Sequence, residues 1–259
     1  MSSDGHRTSY GVPSKAQTGS STDLLQKLVR GSSRRTGLFF TGFRRKFYGP
    51  ITHVETDAKV AALTFDDGPH PEYTVALLQV LEHYGAKATF FMIGQTAQRY
   101  PDLVKMVADQ GHTIANHSLT HAPFPSLDSK ARIDEIIACD KVLQPYSVTL
   151  FRPPFGLENA FTHRDARRLG YRVIKWSISA DDWRDHSPDW IADKLTSQLT
   201  RGSIILLHDN RIDDPEKSQM NTVHALEKVL AATARSYEFC TVPKLLTLGR
   251  PMTSFRPIW

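Results

Sequence analysis

The sequence predicts an α/β domain of about seven parallel strands and covering helices, best arranged as a closed or nearly closed barrel. Three observations lead there. Short apolar runs alternate with amphipathic segments some seven times along the 259 residues, and each parallel return needs a crossover helix. Several amphipathic segments stop at a glycine, the residue that most readily closes a helix. Polar residues gather where the apolar runs end, and parallel α/β sheets do their chemistry at the carboxyl ends of their strands. A doubly wound open sheet is the alternative arrangement.

The elements follow in order. Residues 1–22 are rich in Ser, Thr and Gly and read as disordered, with a short helix over 23–30 and an apolar patch at 37–40. Residues 1–50 are therefore expected to form an arm, and 51–259 the catalytic domain. Strands are expected over 60–65, 88–93, 112–116, 149–151, 172–176, 203–207 and 239–242. Helices are expected over 74–84, 101–110, 127–143, 162–169, 188–199 and 221–234. Gly85, Gly111 and Gly170 stop three of them, and Ile133, Ile136 and Ile137 give the long helix its apolar face.

A hydrophobic fraction of 40% and a charged fraction of 23% suit a globular domain with a full core. The net charge of +5 is concentrated before the first strand, in Arg30, Arg34, Arg35, Arg44, Arg45 and Lys46. This reads as a solvated basic arm; the alternative is contact with a polyanion or an anionic membrane surface. No nucleic-acid motif accompanies it. No run approaches 18 apolar residues, so no spanning helix is expected. The amino terminus lacks an apolar stretch after a basic one, which sets the expectation of a cytoplasmic protein. Cys139 and Cys240 form no C-x-x-C pair and predict free thiols rather than a disulfide framework.

The chemistry sits at five strand ends. Asp66 and Asp67 close the run Val60-Ala61-Ala62-Leu63 at a Gly68-Pro69 turn, and His117 and His121 stand four residues apart. Asp67, His117 and His121 can supply the three protein ligands of a hydrolytic metal site. The spacing of the histidines fits one face of a helical turn or a compact loop. A divalent ion there brings the pKa of water near neutrality, and Asp66 is the carboxylate placed to take the proton. Arg152, in Arg152-Pro153-Pro154-Phe155-Gly156, follows the fourth strand on a rigid turn and can orient a carboxylate. His208 ends the apolar run Leu206-Leu207 and is the candidate general acid, its proton held by a nearby carboxylate. Each feature alone has an ordinary structural explanation, as turn, surface pair or core histidine; their joint occurrence at strand ends points to a metal-dependent hydrolase. Two histidines and a carboxylate suit zinc, with cobalt or nickel as alternatives.

Taken in order, Thr64-Phe65-Asp66-Asp67-Gly68-Pro69, His117-Ser118-Leu119-Thr120-His121, Arg152-Pro153-Pro154-Phe155-Gly156, Asp181-Asp182-Trp183 and Leu206-Leu207-His208-Asp209 closely resemble the five motifs of polysaccharide deacetylases. That group is carbohydrate esterase family four, the nodulation-protein-B homology domain. The resemblance spans residues 60–242. It implies a distorted (β/α) barrel that removes N-acetyl, sometimes O-acetyl, groups from sugar polymers such as chitin oligomers, peptidoglycan or lipid-linked sugars. By matching motif positions it implies Asp66 as base, Asp67, His117 and His121 as metal ligands, and Arg152 as the residue that orients Asp66. It further implies that Asp182 partners His208, that Trp183 and Leu206 wall the acetyl pocket, and that the Phe155 N–H helps stabilise the oxyanion. Ser179 stands where the family often has Asp, which removes any salt link from that site, and Phe155 replaces a common Tyr. His70 is expected to cap a turn rather than touch substrate. The alternatives are hydrolysis of a cyclic amide on the same scaffold, or a non-catalytic sugar-binding relative.

Overall fold

The computed structural model describes residues 49–253. The expected arm, with its helix at 23–30, its apolar patch and its basic cluster, lies outside the described residues. The strands are β1 (Ile51–Glu55), β2 (Val60–Asp66), β3 (Ala88–Met92), β4 (Thr113–Asn116), β5 (Ser147–Phe151), β6 (Arg172–Val173), β7 (Ile178–Ser179), β8 (Ile204–His208), β9 (Glu238–Cys240) and β10 (Arg250–Thr253). The helices are α1 (Tyr73–His83), α2 (Gly94–Arg99), α3 (Pro101–Asp109), α4 (Ser129–Leu143), α5 (Ala160–Arg168), α6 (Pro188–Gln198), α7 (Met220–Thr233) and α8 (Val242–Leu245). Capping residues start several of them: Asp128 accepts from the Ala131 N–H at 2.8 Å, and Ser187 from that of Trp190 at 3.2 Å. Among the described residues no helix is long and apolar enough to cross a membrane.

Seven strands pair in parallel in the order β6-β5-β4-β3-β2-β8-β7, with β9 added beside the start of β2. The sheet curls into a distorted barrel that is open between β6 and β7. Residues of β1 line that gap: Ile51 bridges Ile174 and His53 bridges Ser203. β1 itself pairs with β10 in an antiparallel ribbon.

One expected strand is shorter than its apolar run. The run 172–176 forms ladder pairs only at Arg172 and Val173. Beyond it the polar backbone of Lys175 is taken elsewhere: its N–H donates to Ile51 O at 2.7 Å and its carbonyl accepts from Arg152 Nη2 at 3.1 Å. The chain therefore leaves the β5–β6 ladder, and its next strand, β7, pairs with β8 at the opposite edge of the sheet. The β1–β10 ribbon and α2 are additions to the sequence reading. Gly94-Gln95-Thr96-Ala97-Gln98-Arg99 has no apolar stripe to announce a helix.

The two-residue period of the strands organises the core. Leu63 and Phe65, Phe90 and Met92, and Ile205 and Leu207 pack outward under the helices. Val60 and Ala62, Phe91, Ile204 and Leu150 point to the interior of the curl. Two residues further along the same columns stand Thr64 and Asp66, Leu206 and His208, and Arg152. The interior face thus passes from apolar packing to chemistry without a change of direction.

Candidate active site

The cleft at the carboxyl ends of the strands has a volume of about 290 Å³, and Asp66, Asp67, His117, His121, Phe155, Trp183, Leu206 and His208 line it. Among the described residues five non-glycine residues adopt positive φ, and all lie in the loops that build it: Asp67 (80°), Ser118 (69°), His121 (63°), Phe155 (58°) and Asp181 (49°). Such conformations cost on the order of 1–3 kcal/mol each and persist only where the surroundings impose them. The reason is plainest at Asp67. Adjacent residues of an extended strand face opposite ways, and the left-handed turn at Asp67 brings its carboxylate into the same cleft as Asp66.

His117 and His121 come from a compact loop, which settles the choice left by their spacing. Asn116 opens the loop, its side chain accepting from Ser118 N–H at 2.9 Å and donating to Ile136 O at 2.9 Å. Glu135 of α4 closes it, accepting from the N–H groups of Leu119 (3.0 Å) and Thr120 (2.9 Å). Asp67 Oδ1 then lies 3.3 Å from His117 Nε2 and 3.2 Å from His121 Nε2. The donor atoms of the three residues lie within 4.8 Å of one another.

These residues fit a metal ion. His117 Nδ1 is 2.8 Å from the Arg152 carbonyl, which can only accept, so the ring proton sits on Nδ1 and Nε2 presents a lone pair to the cleft. Facing it, Asp67 Oδ1 is buried with no hydrogen-bond partner. Ligand atoms of Asp67, His117 and His121 converging at one buried point fit a cation between them. A set of two imidazoles and one carboxylate matches zinc and its neighbours.

Arg152 is wholly buried, and its guanidinium finds four partners. Nη1 donates to Asp66 Oδ1 at 2.6 Å and Thr64 Oγ1 at 2.8 Å, Nη2 to Lys175 O at 3.1 Å, and Nε to Ile174 O at 3.3 Å. Its Cζ stacks 4.1 Å from the Phe91 ring centroid. Burying an ion costs several kcal/mol unless it is paired and hydrogen-bonded, and here a carboxylate and three further acceptors take four of the five N–H groups. Asp66 is fixed through Oδ1, while its Oδ2 lies 3.8 Å from His117 Nε2 beside the candidate metal position.

On the adjacent strand β8, His208 Nδ1 meets Asp182 Oδ1 at 2.8 Å. Asp182 Oδ2 accepts from the His208 N–H (2.8 Å), Thr222 Oγ1 (2.8 Å) and Gln219 Nε2 (3.1 Å). Burial pulls the His208 pKa down, but the charges of Asp182, Asp67 and Asp66 outweigh it and push it up to about 9. The Trp183 ring stands edge-on to His208 with centroids 5.4 Å apart, and Leu206 lines the same wall. The Phe155 ring packs 4.4 Å from that of His121. The structure therefore gathers all ten site residues expected from the sequence.

A model of the polysaccharide deacetylase family matches residues 53–174. A peptidoglycan-N-acetylglucosamine deacetylase of Bacillus cereus is 38% identical over 198 residues, covering 74% of this chain and 91% of that protein. The chain belongs to the polysaccharide deacetylase family. Within that family, a chitooligosaccharide deacetylase of Rhizobium leguminosarum bv. trifolii is 35% identical over 163 residues, 62% of this chain and 76% of its own. Among solved structures, a peptidoglycan N-acetylglucosamine deacetylase in complex with 4-naphthalen-1-yl-N-oxidanyl-benzamide superposes with a TM-score of 0.74 at 27% identity. That match covers 80% of this chain and 97% of the other.

Several residues of the deacetylase site escaped the sequence reading. Thr64 looks like part of an apolar strand, yet its hydroxyl accepts from Arg152 and donates to Ile205 O at 2.6 Å. Arg211 steadies the Asp182 loop by donating to the carbonyls of Asp182 and Arg184, each at 3.2 Å. Asp209 is wholly buried behind the first motif and accepts from Thr74 Oγ1 at 2.6 Å. Ser179 accepts from the Asp181 N–H at 3.2 Å, and Asp181 pairs with Lys194 at 3.0 Å, so no acidic partner is missing there. His70 caps the start of α1, its Nδ1 accepting from the Glu72 N–H at 3.2 Å.

Proposed function

We propose that this member of the polysaccharide deacetylase family removes N-acetyl groups from amino-sugar oligomers or polymers of the chitin or peptidoglycan type, using Asp66 as general base and His208 as general acid. The observation that carries this reading is that Asp66 and His208, register partners on adjacent strands, line one cleft together with the Asp67–His117–His121 group. The names of the B. cereus and R. leguminosarum relatives supply the two substrate classes.

Asp67, His117 and His121 would hold a divalent ion, zinc by preference, which would supply Lewis-acid chemistry. The protein's own groups then move the protons. Asp66, anchored by Arg152 through Oδ1, accepts the proton that the attacking water loses, at Oδ2. The water oxygen bonds to the acetyl carbon, and the Phe155 N–H supports the charge that builds on the carbonyl oxygen. As the C–N bond breaks, His208 donates its Nε2 proton to the departing nitrogen, with Asp182 stabilising the imidazolium beforehand. Acetate and a free amino sugar result. Trp183 and Leu206 enclose the methyl group and exclude water.

Acetate release and amine appearance, measured together on N-acetylglucosamine oligomers and on peptidoglycan after metal is restored to chelated enzyme, test the reading. Equal amounts of both products support it. Hydrolysis of a cyclic amide in place of every acetylated sugar overturns it.

A further inference from the structure

Behind the oxyanion turn the described residues hold a buried charge cluster that none of the five motifs includes. The Lys175 ammonium is almost fully buried and donates to Gly156 O at 2.9 Å. Glu158 Oε1 lies 3.4 Å away, and the other oxygen of Glu158 is 2.6 Å from His163 Nε2, also buried. An ammonium is costly to remove from water, so a lysine in this place reports a structural demand rather than chance.

The demand is visible in the turn. Phe155 and Gly156 both have left-handed backbone, at φ 58° and 63°. The Trp176 ring lies so close that a Cβ at Gly156 would be 2.5 Å from its Cη2. Backbone hydrogen bonds close the turn only from within, Gly156 N–H to Pro153 O and Leu157 N–H to Pro154 O, both 3.0 Å. Lys175 ties it to the sheet. The same residue's carbonyl receives Arg152 Nη2, so one residue touches both the turn that carries the Phe155 N–H and the arginine that fixes Asp66.

We propose that Lys175 is a positioning residue for the deacetylation: its buried ammonium, balanced by Glu158, holds the Gly156 carbonyl and with it the Phe155 N–H at the oxyanion position. This rests on the role assigned above to the Phe155 amide. Holding that donor in line matters only when charge develops on the acyl oxygen, so its loss appears in kcat rather than in KM. A displacement near 1 Å at such a donor costs on the order of 100-fold.

The test compares Lys175→Met, Lys175→Arg and Glu158→Gln with wild-type enzyme, measuring kcat, KM, bound zinc and thermal stability. Lys175→Met is expected to lower kcat by roughly 10–100-fold with KM within about twofold and zinc stoichiometry unchanged. Lys175→Arg, which keeps a donor and the charge, recovers part of that loss. Glu158→Gln leaves the lysine in place without its counter-charge and lowers kcat by a smaller factor; it carries the test if Lys175→Met does not fold. Full kcat in Lys175→Met or, should that variant not fold, in Glu158→Gln overturns the proposal. So does a loss confined to stability. Inactive wild-type enzyme on every acetylated sugar instead removes the functional reading on which the proposal stands.

Discussion

Asp66 and His208 are register partners on the adjacent parallel strands β2 and β8. The two residues assigned to opposite proton transfers therefore share one rung of the ladder, pointing into the same curl. A slip of one residue in either strand would turn its catalytic group to the opposite face. Two rungs back, on the same face, Thr64 pairs with Leu206, and Thr64 Oγ1 donates to the backbone of β8 at Ile205 O. The site is thus built into the sheet, and its geometry is as rigid as the strand pairing.

Arg152 is the first point at which this rigidity can be tested. Arg152→Met leaves Asp66 buried without its charged partner, a change worth about 3–5 kcal/mol. For a domain of this size that lowers Tm by roughly 10 °C. Calorimetry of the variant and its wild type should show the drop, together with a large fall in kcat.

His117→Ala removes one ligand and the Nδ1–Arg152 carbonyl link at once. Zinc affinity should fall by more than the roughly 10–100-fold that loss of an outer partner costs. Competition against a chromophoric chelator reads this directly. Circular dichroism should stay native, because His117 lies in a loop that Asn116 and Glu135 hold independently.

The pH profile follows from His208. Its folded pKa is raised from 6.5 to about 9, so the acid form persists through neutrality and kcat declines as pH rises through the raised value. A divalent cation on Asp67 opposes the carboxylate charges that raise it, so the limb in the loaded enzyme lies lower than in the metal-free enzyme. Asp182→Asn removes the strongest of those charges and should move the limb to lower pH. The stability the pair contributes runs the same way: it is fully present below pH 6.5 and is lost as pH climbs through the raised value.

Gly68→Ala probes the back of the first motif. A Cβ there would stand 2.1 Å from Asp209 Oδ2, and Asp209 is wholly buried and held by Thr74. Burial and the charges of Asp67 and Asp66 push the Asp209 pKa up to about 7 against the Thr74 hydrogen bond. With no room to yield, the substitution should cost about 1–3 kcal/mol. Chemical denaturation of the variant measures it.

Much of the site was legible because strand ends and catalytic residues obey the same period. Asp66, Arg152 and His208 continue the interior columns of apolar runs, and a reader who finds the run finds the residue. What stayed hidden depends on tertiary contact. Gln219 and Thr222 reach Asp182 from about forty positions away, and a glutamine and a threonine at a helix start carry no signal of that errand. Glu135 looked like an ordinary surface carboxylate of α4. Lys175 was read as the interior of a continuous strand, yet its polar backbone bonds to β1 and to Arg152. The β1–β10 ribbon joins residues nearly two hundred positions apart, as Glu55 and Arg250 show, and such short strands at that separation leave no local pattern.

The central claim is that Asp66 acts as base beside a metal it does not hold. Asp66→Asn, with zinc affinity and acetate release from N-acetylglucosamine oligomers measured on the same preparation, tests it most directly. The account predicts zinc affinity within a few-fold of wild type and kcat lower by roughly 10²–10⁴. Activity within a few-fold of wild type, or activity lost only in proportion to lost zinc, would contradict it.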